Sequence, residues 1–404
     1  MPCYLSLLLR FLCPITILAT SVQVGLDRID QYSDLFAGKR VGLIANHTSI
    51  NSRDESIVDC FMALPEAQIT ALYAPEHGLW GTVEAGQDIN TVMHPQYAIP
   101  IYSLYRDDGH MAKPTPAMLA PIDVLVFDIQ DIGTRFYTYI WTMALAMEAA
   151  AEQHLPFVVL DRPNPVTLPV QGPLLDPNFA SFKGLYPIPV VHGLTMGELA
   201  RLFNQQGWLS QGIKAELKVV PMKRWSHAMS FTDTGLSFIP PSPNMRSLDT
   251  AYVYPGMALL EGTNISEGRG TDLPFLQFGT PWLDAVHVVE QLNNPPCPGV
   301  TFSTTTFTPS TSKHQGMPCR GVRLNLIDRQ QLQPFAMGIR IIQTIMQCHP
   351  EQLQWRPQHF DELCGTDQIR LALTSHQSLE SLRQRWQSSY EEYSKQTQGS
   401  RLYP

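Results

Sequence analysis

Short apolar runs that stop abruptly at polar residues, glycine or proline recur along the first half of the chain. Val41-Gly-Leu-Ile-Ala gives way to Asn46-His47-Thr48-Ser49, and Ile69-Thr-Ala-Leu-Tyr-Ala to Pro75-Glu76-His77-Gly78. Val124-Leu-Val-Phe is followed by Asp128-Ile-Gln-Asp131, and Phe157-Val-Val-Leu by Asp161-Arg162-Pro-Asn164. Runs this short and uniformly apolar suit strands covered on both faces, which is the parallel-sheet case. Between them lie helical stretches such as Tyr139 to Gln153, rich in Ala, Met and Glu. The alternation predicts an α/β protein whose N-terminal domain is a Rossmann-like parallel sheet. Ligands of open parallel sheets bind beyond the carboxyl ends of the strands, so these polar clusters are expected to converge on one crevice.

A further unit runs from Pro187 through His192 and Gly193 into Thr195-Met-Gly-Glu198 and an apolar-periodic segment. The Thr195/Glu198 spacing fits a capping box, so both are expected to start a helix rather than to catalyse. Proline density at Ile239-Pro-Pro-Ser-Pro-Asn244 enforces extended chain. It marks a boundary between a Rossmann-like domain, 22–240, and a smaller α/β domain, 241–404. In the latter, Phe302 to Lys313 reads as a loop or edge ribbon, and Leu332 to Gln347 as an amphipathic helix. Residues 1–21 combine two apolar stretches, a single cation at Arg10 and the small residues Ala19-Thr-Ser21, which resembles a secretory signal. A secreted or periplasmic protein beginning near Val22 is the expectation. No run reaches the ~18–20 apolar residues of a membrane-spanning helix, so no stable membrane insertion is expected.

Composition narrows the partners. A length of 404 residues suggests two domains, and 44% apolar against 16% charged residues is a globular balance. The net charge is −8 with Lys and Arg scattered, which argues against nucleic acid, because tracking phosphates takes clustered cations. The seven cysteines show no C-x-x-C spacing, so a structural zinc site is not expected. Cys297 and Cys319 are either a pair in an exported protein or small buried hydrophobes. No G-x-G-x-x-G follows the first strand, and no phosphate-binding loop, H-E-x-x-H or G-x-S-x-G occurs. Neither cofactor nor metal is expected.

The candidate chemistry lies in carboxylates and amides at strand ends. Pro75 locks the chain before Glu76, Gly78 and Gly81 bend it afterwards, and Trp80 offers an apolar wall. A carboxyl group against such a wall keeps its proton more readily, as a general acid must. The structural alternative is a capping or salt-bridged loop residue. Glu84 supplies a second carboxylate eight residues on. Asp128, Asp131 and Arg135 follow a buried strand, where an internal Asp–Arg pair competes with substrate binding. Arg135 and Arg162 are also candidates for gripping a substrate carboxylate. The loop from Glu261 to Thr271 packs Glu261, Asn264, Glu267 and Arg269 among three glycines, a set suited to a sugar or to internal pairing.

These residues also carry a family resemblance. Asn46-His-Thr-Ser, Pro75-Glu-His-Gly, the segment Phe127 to Tyr139, Leu160-Asp-Arg-Pro-Asn-Pro, Pro240-Pro-Ser-Pro-Asn-Met and Glu261 to Thr271 resemble, collinearly, the NamZ-type exo-β-N-acetylmuramidase family. The resemblance implies a Rossmann-like domain without nucleotide, a smaller α/β domain and a cleft between them. That cleft would remove N-acetylmuramic acid from the non-reducing end of peptidoglycan-derived sugars. By the matching motifs, Glu76 is the family's motif glutamate. His77, Asn46, His47, Asp128, Arg135, Asn164, Asn244, Glu261, Asn264, Glu267 and Arg269 are cleft candidates, and His192 is added to them as a strand-end polar residue. The tail Arg401-Leu-Tyr-Pro is shorter than the family pattern leads one to expect. The expectation is a glycosidase with Glu76 as general acid. Glu84, a carboxylate of the Glu261 loop or the substrate's own acetamido group would be its second participant. The rivals are a two-lobed sugar-binding protein and a metal hydrolase built on His47, His77, Asp128 and His192.

Overall fold

The computed structural model describes residues 21–83, 92–105, 111–378 and 380–404. Nearly all of the candidate signal segment and Glu84 lie outside these residues. Seven strands form the main sheet: β1 (Arg40–Ala45), β2 (Gln68–Ala74), β3 (Val92–Met93), β4 (Pro100–Ser103), β5 (Val124–Asp128), β6 (Phe157–Leu160) and β7 (Leu217–Val220). Their order is β3-β4-β2-β1-β5-β6-β7, and every neighbouring pair is parallel except β3 with β4 at one edge. The apolar runs are strands because both faces are covered. Val41, Leu43, Val124, Val126, Val158 and Leu160 enter one apolar cluster, while Ile44, Leu125, Phe127, Phe157 and Val159 enter the other. Alternate residues thus feed opposite cores, which leaves few positions for a polar side chain away from the strand ends.

The capping box at Thr195 is present: its hydroxyl accepts from Glu198 N at 3.2 Å, and Glu198 Oε2 accepts from Thr195 N at 3.0 Å. The helix it starts, Met196–Gln206, packs on the sheet beside Tyr139–Glu152. A second, antiparallel sheet of order β8-β10-β9 comprises β8 (Gln277–Thr280), β9 (Val300–Phe307) and β10 (Cys319–Leu326). The Ser/Thr-rich stretch begins as β9, an edge strand whose side chains alternate between core and solvent, and then continues as a loop. The helix expected at 332–347 is Pro334–Cys348. Phe278, Val322, Ile341 and Ile345 join the same apolar cluster as Phe127 and Val159, so the two units share one core. Cys297 and Cys319 are both free and buried, so the small-hydrophobe reading of these residues holds and the pairing does not.

Two extended segments close the molecule over the strand ends. Proline has no N–H, so the 239–244 segment offers carbonyls instead. Tyr139 Oη donates to Pro241 O at 2.6 Å, and His47 Nε2 bonds Pro240 O at 2.7 Å. The chain's tail returns to the first unit: Tyr403 Oη donates to Asp161 Oδ2 at 2.6 Å and accepts from Met222 N at 2.9 Å. Leu402 N donates to Glu198 Oε1 at 2.9 Å, so the short tail is anchored to the first unit through Leu402 and Tyr403 while Arg401 and Pro404 stay exposed. Among the described residues no helix is long and apolar enough to cross a membrane.

Candidate functional site

Glu76 follows directly on β2 and lies at the carboxyl end of the sheet. The turn carrying it is tight: His77 adopts a left-handed φ of 72°, followed by Gly78 at 78° and Gly81 at 68°. A non-glycine residue held there is strained, and such strain concentrates at functional sites. Gly81 is dictated by packing, since a Cβ on it would lie 2.0 Å from the His47 ring. Thr138 Oγ1 donates to Glu76 Oε2 at 2.7 Å, which fixes the carboxyl and leaves Oε1 without a partner among the described residues.

Glu76 lines a pocket with His77, Phe136, Tyr137, Thr138, Ser242, Asn244, Met245, Tyr254, Arg269 and Phe275. One wall is aromatic: Tyr254 meets Phe275 edge-on at 4.9 Å and Tyr137 at 5.9 Å, with Phe136 at 5.5 Å. Trp80, expected as the apolar wall, is instead half exposed and lies over His94. His77 Nδ1 bonds Val83 O at 2.7 Å, so the ring carries a proton at Nδ1. The neighbouring His47 imidazole is pulled below its usual range by burial; the Pro240 carbonyl opposes this and His77 adds to it.

Arg269 enters the pocket from the second unit. Its NH2 donates to Glu261 Oε1 at 2.8 Å, its Nε lies 3.3 Å from Glu267 Oε1, and its guanidinium sits 4.9 Å over the Phe275 ring. Lys313 Nζ donates to Glu267 Oε2 at 2.9 Å, and His359 Nε2 lies 3.4 Å from Glu261 Oε2. Burial alone would push the Glu261 carboxyl up, but Arg269 outweighs it, with help from His359, and holds the group well below the usual carboxylate range. Both glutamates are thus committed to cations, whereas Arg269 NH1 has no partner among the described residues.

Several expected cleft residues are structural. Asp128 forms a buried two-pronged pair with Arg162, whose NH2 donates to Oδ2 at 2.9 Å and to Ile50 O at 2.7 Å. Burial pushes the Asp128 carboxyl up, against the pull of Arg162. Arg135 is therefore the partner of neither aspartate. Fully buried, it donates to the carbonyls of Pro173, Ile188 and Leu363 at 2.8–2.9 Å, tying the two units together. Neither arginine is free to grip a substrate. Asn164 braces Val166 N and Leu194 O, and Asn264 braces Gln352 O and Gln354 N. Asn46 Oδ1 accepts from Thr48. His192 Nε2 lies buried 3.8 Å from Asp131 Oδ2. None of Asn46, His47, Asp128, Arg135, Asn164, His192, Glu261, Asn264 or Glu267 lines the Glu76 pocket, whereas His77, Asn244 and Arg269 do. Among the described residues no group of three or more His, Cys, Asp or Glu is placed to hold a metal ion. Sequence reasoning missed Tyr137, Thr138, Ser242, Tyr254 and Phe275. The first two stand inside the motif running to Tyr139, of which only Asp128, Asp131 and Arg135 stood out as candidates in the sequence.

Comparison with known proteins agrees with this architecture. Residues 41–249 match the family model described as exo-beta-N-acetylmuramidase NamZ, N-terminal, and residues 252–403 match its C-terminal counterpart. The chain is 45% identical over 377 residues to the peptidoglycan beta-N-acetylmuramidase NamZ of Bacillus subtilis (strain 168), covering 93% of this chain and 89% of that protein. Two crystal structures of DUF1343 family proteins from Bacteroides fragilis NCTC 9343 are similar. One has a TM-score of 0.87 at 34% identity and the other 0.78 at 30%, each match covering 95% of this chain and 99% of the other.

Proposed function

The chain belongs to the exo-β-N-acetylmuramidase NamZ family, and from that membership we propose that it is a glycosidase releasing N-acetylmuramic acid from the non-reducing end of peptidoglycan fragments. The observation that carries the reading at the level of chemistry is Glu76, presented by a strained turn, oriented by Thr138 and facing an aromatic-walled pocket. In this reading Glu76 delivers a proton from Oε1 to the glycosidic oxygen as the bond to the anomeric carbon breaks, and water then adds to that carbon. Glu261 and Glu267 are engaged by Arg269, Lys313 and His359. The second role therefore falls to Glu84 or to the substrate's acetamido oxygen. N-acetylmuramic acid differs from N-acetylglucosamine in its lactyl carboxylate, and Arg269, with NH1 unengaged, is the pocket's cation for it. The N-terminal apolar segment has the features of a secretory signal, which supports a site of action outside the cytoplasm.

The test is incubation with a chromogenic N-acetylmuramic acid glycoside beside the matching N-acetylglucosamine glycoside. The reading expects chromophore from the first and little from the second. Saturable binding of the first without any release would instead make the protein a sugar receptor.

A further inference from the structure

Of the buried polar side-chain atoms without a hydrogen-bond partner among the described residues, one belongs to a residue lining the Glu76 pocket: the hydroxyl of Tyr137. The residue is 7% exposed, so water does not satisfy that hydroxyl in bulk fashion. A buried donor left unmade costs ~1–3 kcal/mol, and its persistence calls for an explanation. Ser242 and Tyr139 are the groups within reach of the phenol, yet neither makes a hydrogen bond of normal geometry with it. The ring cannot swing away to find one, because Tyr139 meets it edge-on at 5.0 Å and Tyr254 at 5.9 Å. Burial, with Tyr139 adding, pushes the phenol well above its ordinary range, so it remains an O–H donor at any working pH.

We propose that Tyr137 is a substrate-positioning residue whose hydroxyl donates a hydrogen bond to the carbonyl oxygen of the sugar's 2-acetamido group. The inference deepens the muramidase reading and rests on it. The surroundings select this acceptor. Charged acceptors belong beside Arg269, whereas Tyr137 is framed by Tyr139 and Tyr254 in a largely aromatic surround that suits a neutral carbonyl carrying a methyl group. Fixing that oxygen also fixes the sugar ring relative to Glu76, which bears electrostatically on the same phenol. No bond to Tyr137 forms or breaks.

Tyr137→Phe removes one oxygen that closes no hydrogen bond of normal geometry in the fold, so its melting temperature should match or exceed that of the parent. Calorimetric titration with N-acetylmuramic acid and with 3-O-lactylglucose, which carries a 2-hydroxyl in place of the acetamido group, gives the decisive comparison. Wild type should prefer the first sugar. The variant should bind it on the order of 10-fold more weakly while binding the second unchanged. Turnover of the chromogenic muramic glycoside should fall at least as much. Equal losses on both sugars, an unchanged affinity for N-acetylmuramic acid, or a lowered melting temperature would overturn the proposal. Failure of the wild type both to bind and to cleave muramic substrates would instead overturn the activity on which it rests.

Discussion

At the scale of single residues, the site depends on which polar groups remain uncommitted. Glu76 has one oxygen fixed by Thr138 and one free, Arg269 has one nitrogen free, and Asp128 and Arg162 have each other. Glu76→Gln keeps the shape and an acceptor for Thr138 but removes the transferable proton. Steady-state kinetics should therefore show kcat on a natural disaccharide lowered by at least ~10²-fold, with stability held within about 1 kcal/mol. The loss should shrink for an activated aryl leaving group, which departs with less protonation. An equal loss on both substrates would point to damaged binding instead. Asp128→Asn leaves the buried Arg162 charge uncompensated, so urea unfolding should show a loss of ~3–5 kcal/mol, the size seen on breaking buried pairs. A loss below 1 kcal/mol would mean that the pair is not what holds the strand end. The sequence made Glu76, His77, Asn244 and Arg269 legible through their turn chemistry and motifs. It did not separate them from Asp128, Asn164 and Asn264, because a braced carboxylate or amide looks the same in one dimension as a free one. Tyr137 and Tyr254 were illegible for the opposite reason: an aromatic in an apolar segment is indistinguishable from core until the fold shows it lining the pocket.

At the scale of elements, strand ends and the two segments that cross them do the positioning. Gly81 admits the His47 ring, His47 and Tyr139 anchor the proline segment, and that segment brings Ser242 and Asn244 to the pocket. The chain's tail works on the neighbouring strand end through Asp161. Burial raises the Asp161 carboxyl to about 6, against the pull of Tyr403, Gly197 and Thr195. Unfolded, an aspartate titrates near 3.9, so between these values the folded state binds the extra proton. Its stabilising effect is full below about pH 4 and lost as pH rises through about 6. Urea unfolding of wild type and Asp161→Asn in parallel should show the wild type's relative stability falling by on the order of 3 kcal/mol from pH 4 to pH 7. A difference that is flat or rises with pH would contradict this assignment. β1, β2, β5 and β6 were legible because two-sided burial leaves them almost wholly apolar, whereas β4 and β7, short and partly exposed, were not. The edge strand β9 was only half legible, since only Val300 and Phe302 are buried and the Ser/Thr run that follows them mimics a loop.

At the scale of the whole molecule, the pocket exists because two units share one core and close on each other. Glu76, Tyr137 and Thr138 come from the first, Tyr254, Arg269 and Phe275 from the second, and Arg135 bonds Leu363 across the junction. The family resemblance implied a cleft between the units and named Asn244 and Arg269 for it. Strand order and the path of the 239–244 segment decide the rest of the lining, Tyr137, Ser242, Tyr254 and Phe275 among it, which no sequence pattern reports. If the N-terminal segment is an export signal, protein recovered from its native cells should begin near Val22 and lie outside the cytoplasm, as read by N-terminal sequencing of cell fractions. An intact Met1 in the cytosol would reverse that assignment. The central claim is tested most directly by product analysis on a defined oligosaccharide with N-acetylmuramic acid at its non-reducing end, beside one capped there by N-acetylglucosamine. Wild type should release free N-acetylmuramic acid from the first and nothing from the second, and Glu76→Gln should release it at least ~10²-fold more slowly. Internal cleavage, release from the glucosamine-capped chain, or a fully active Glu76→Gln variant would contradict the account.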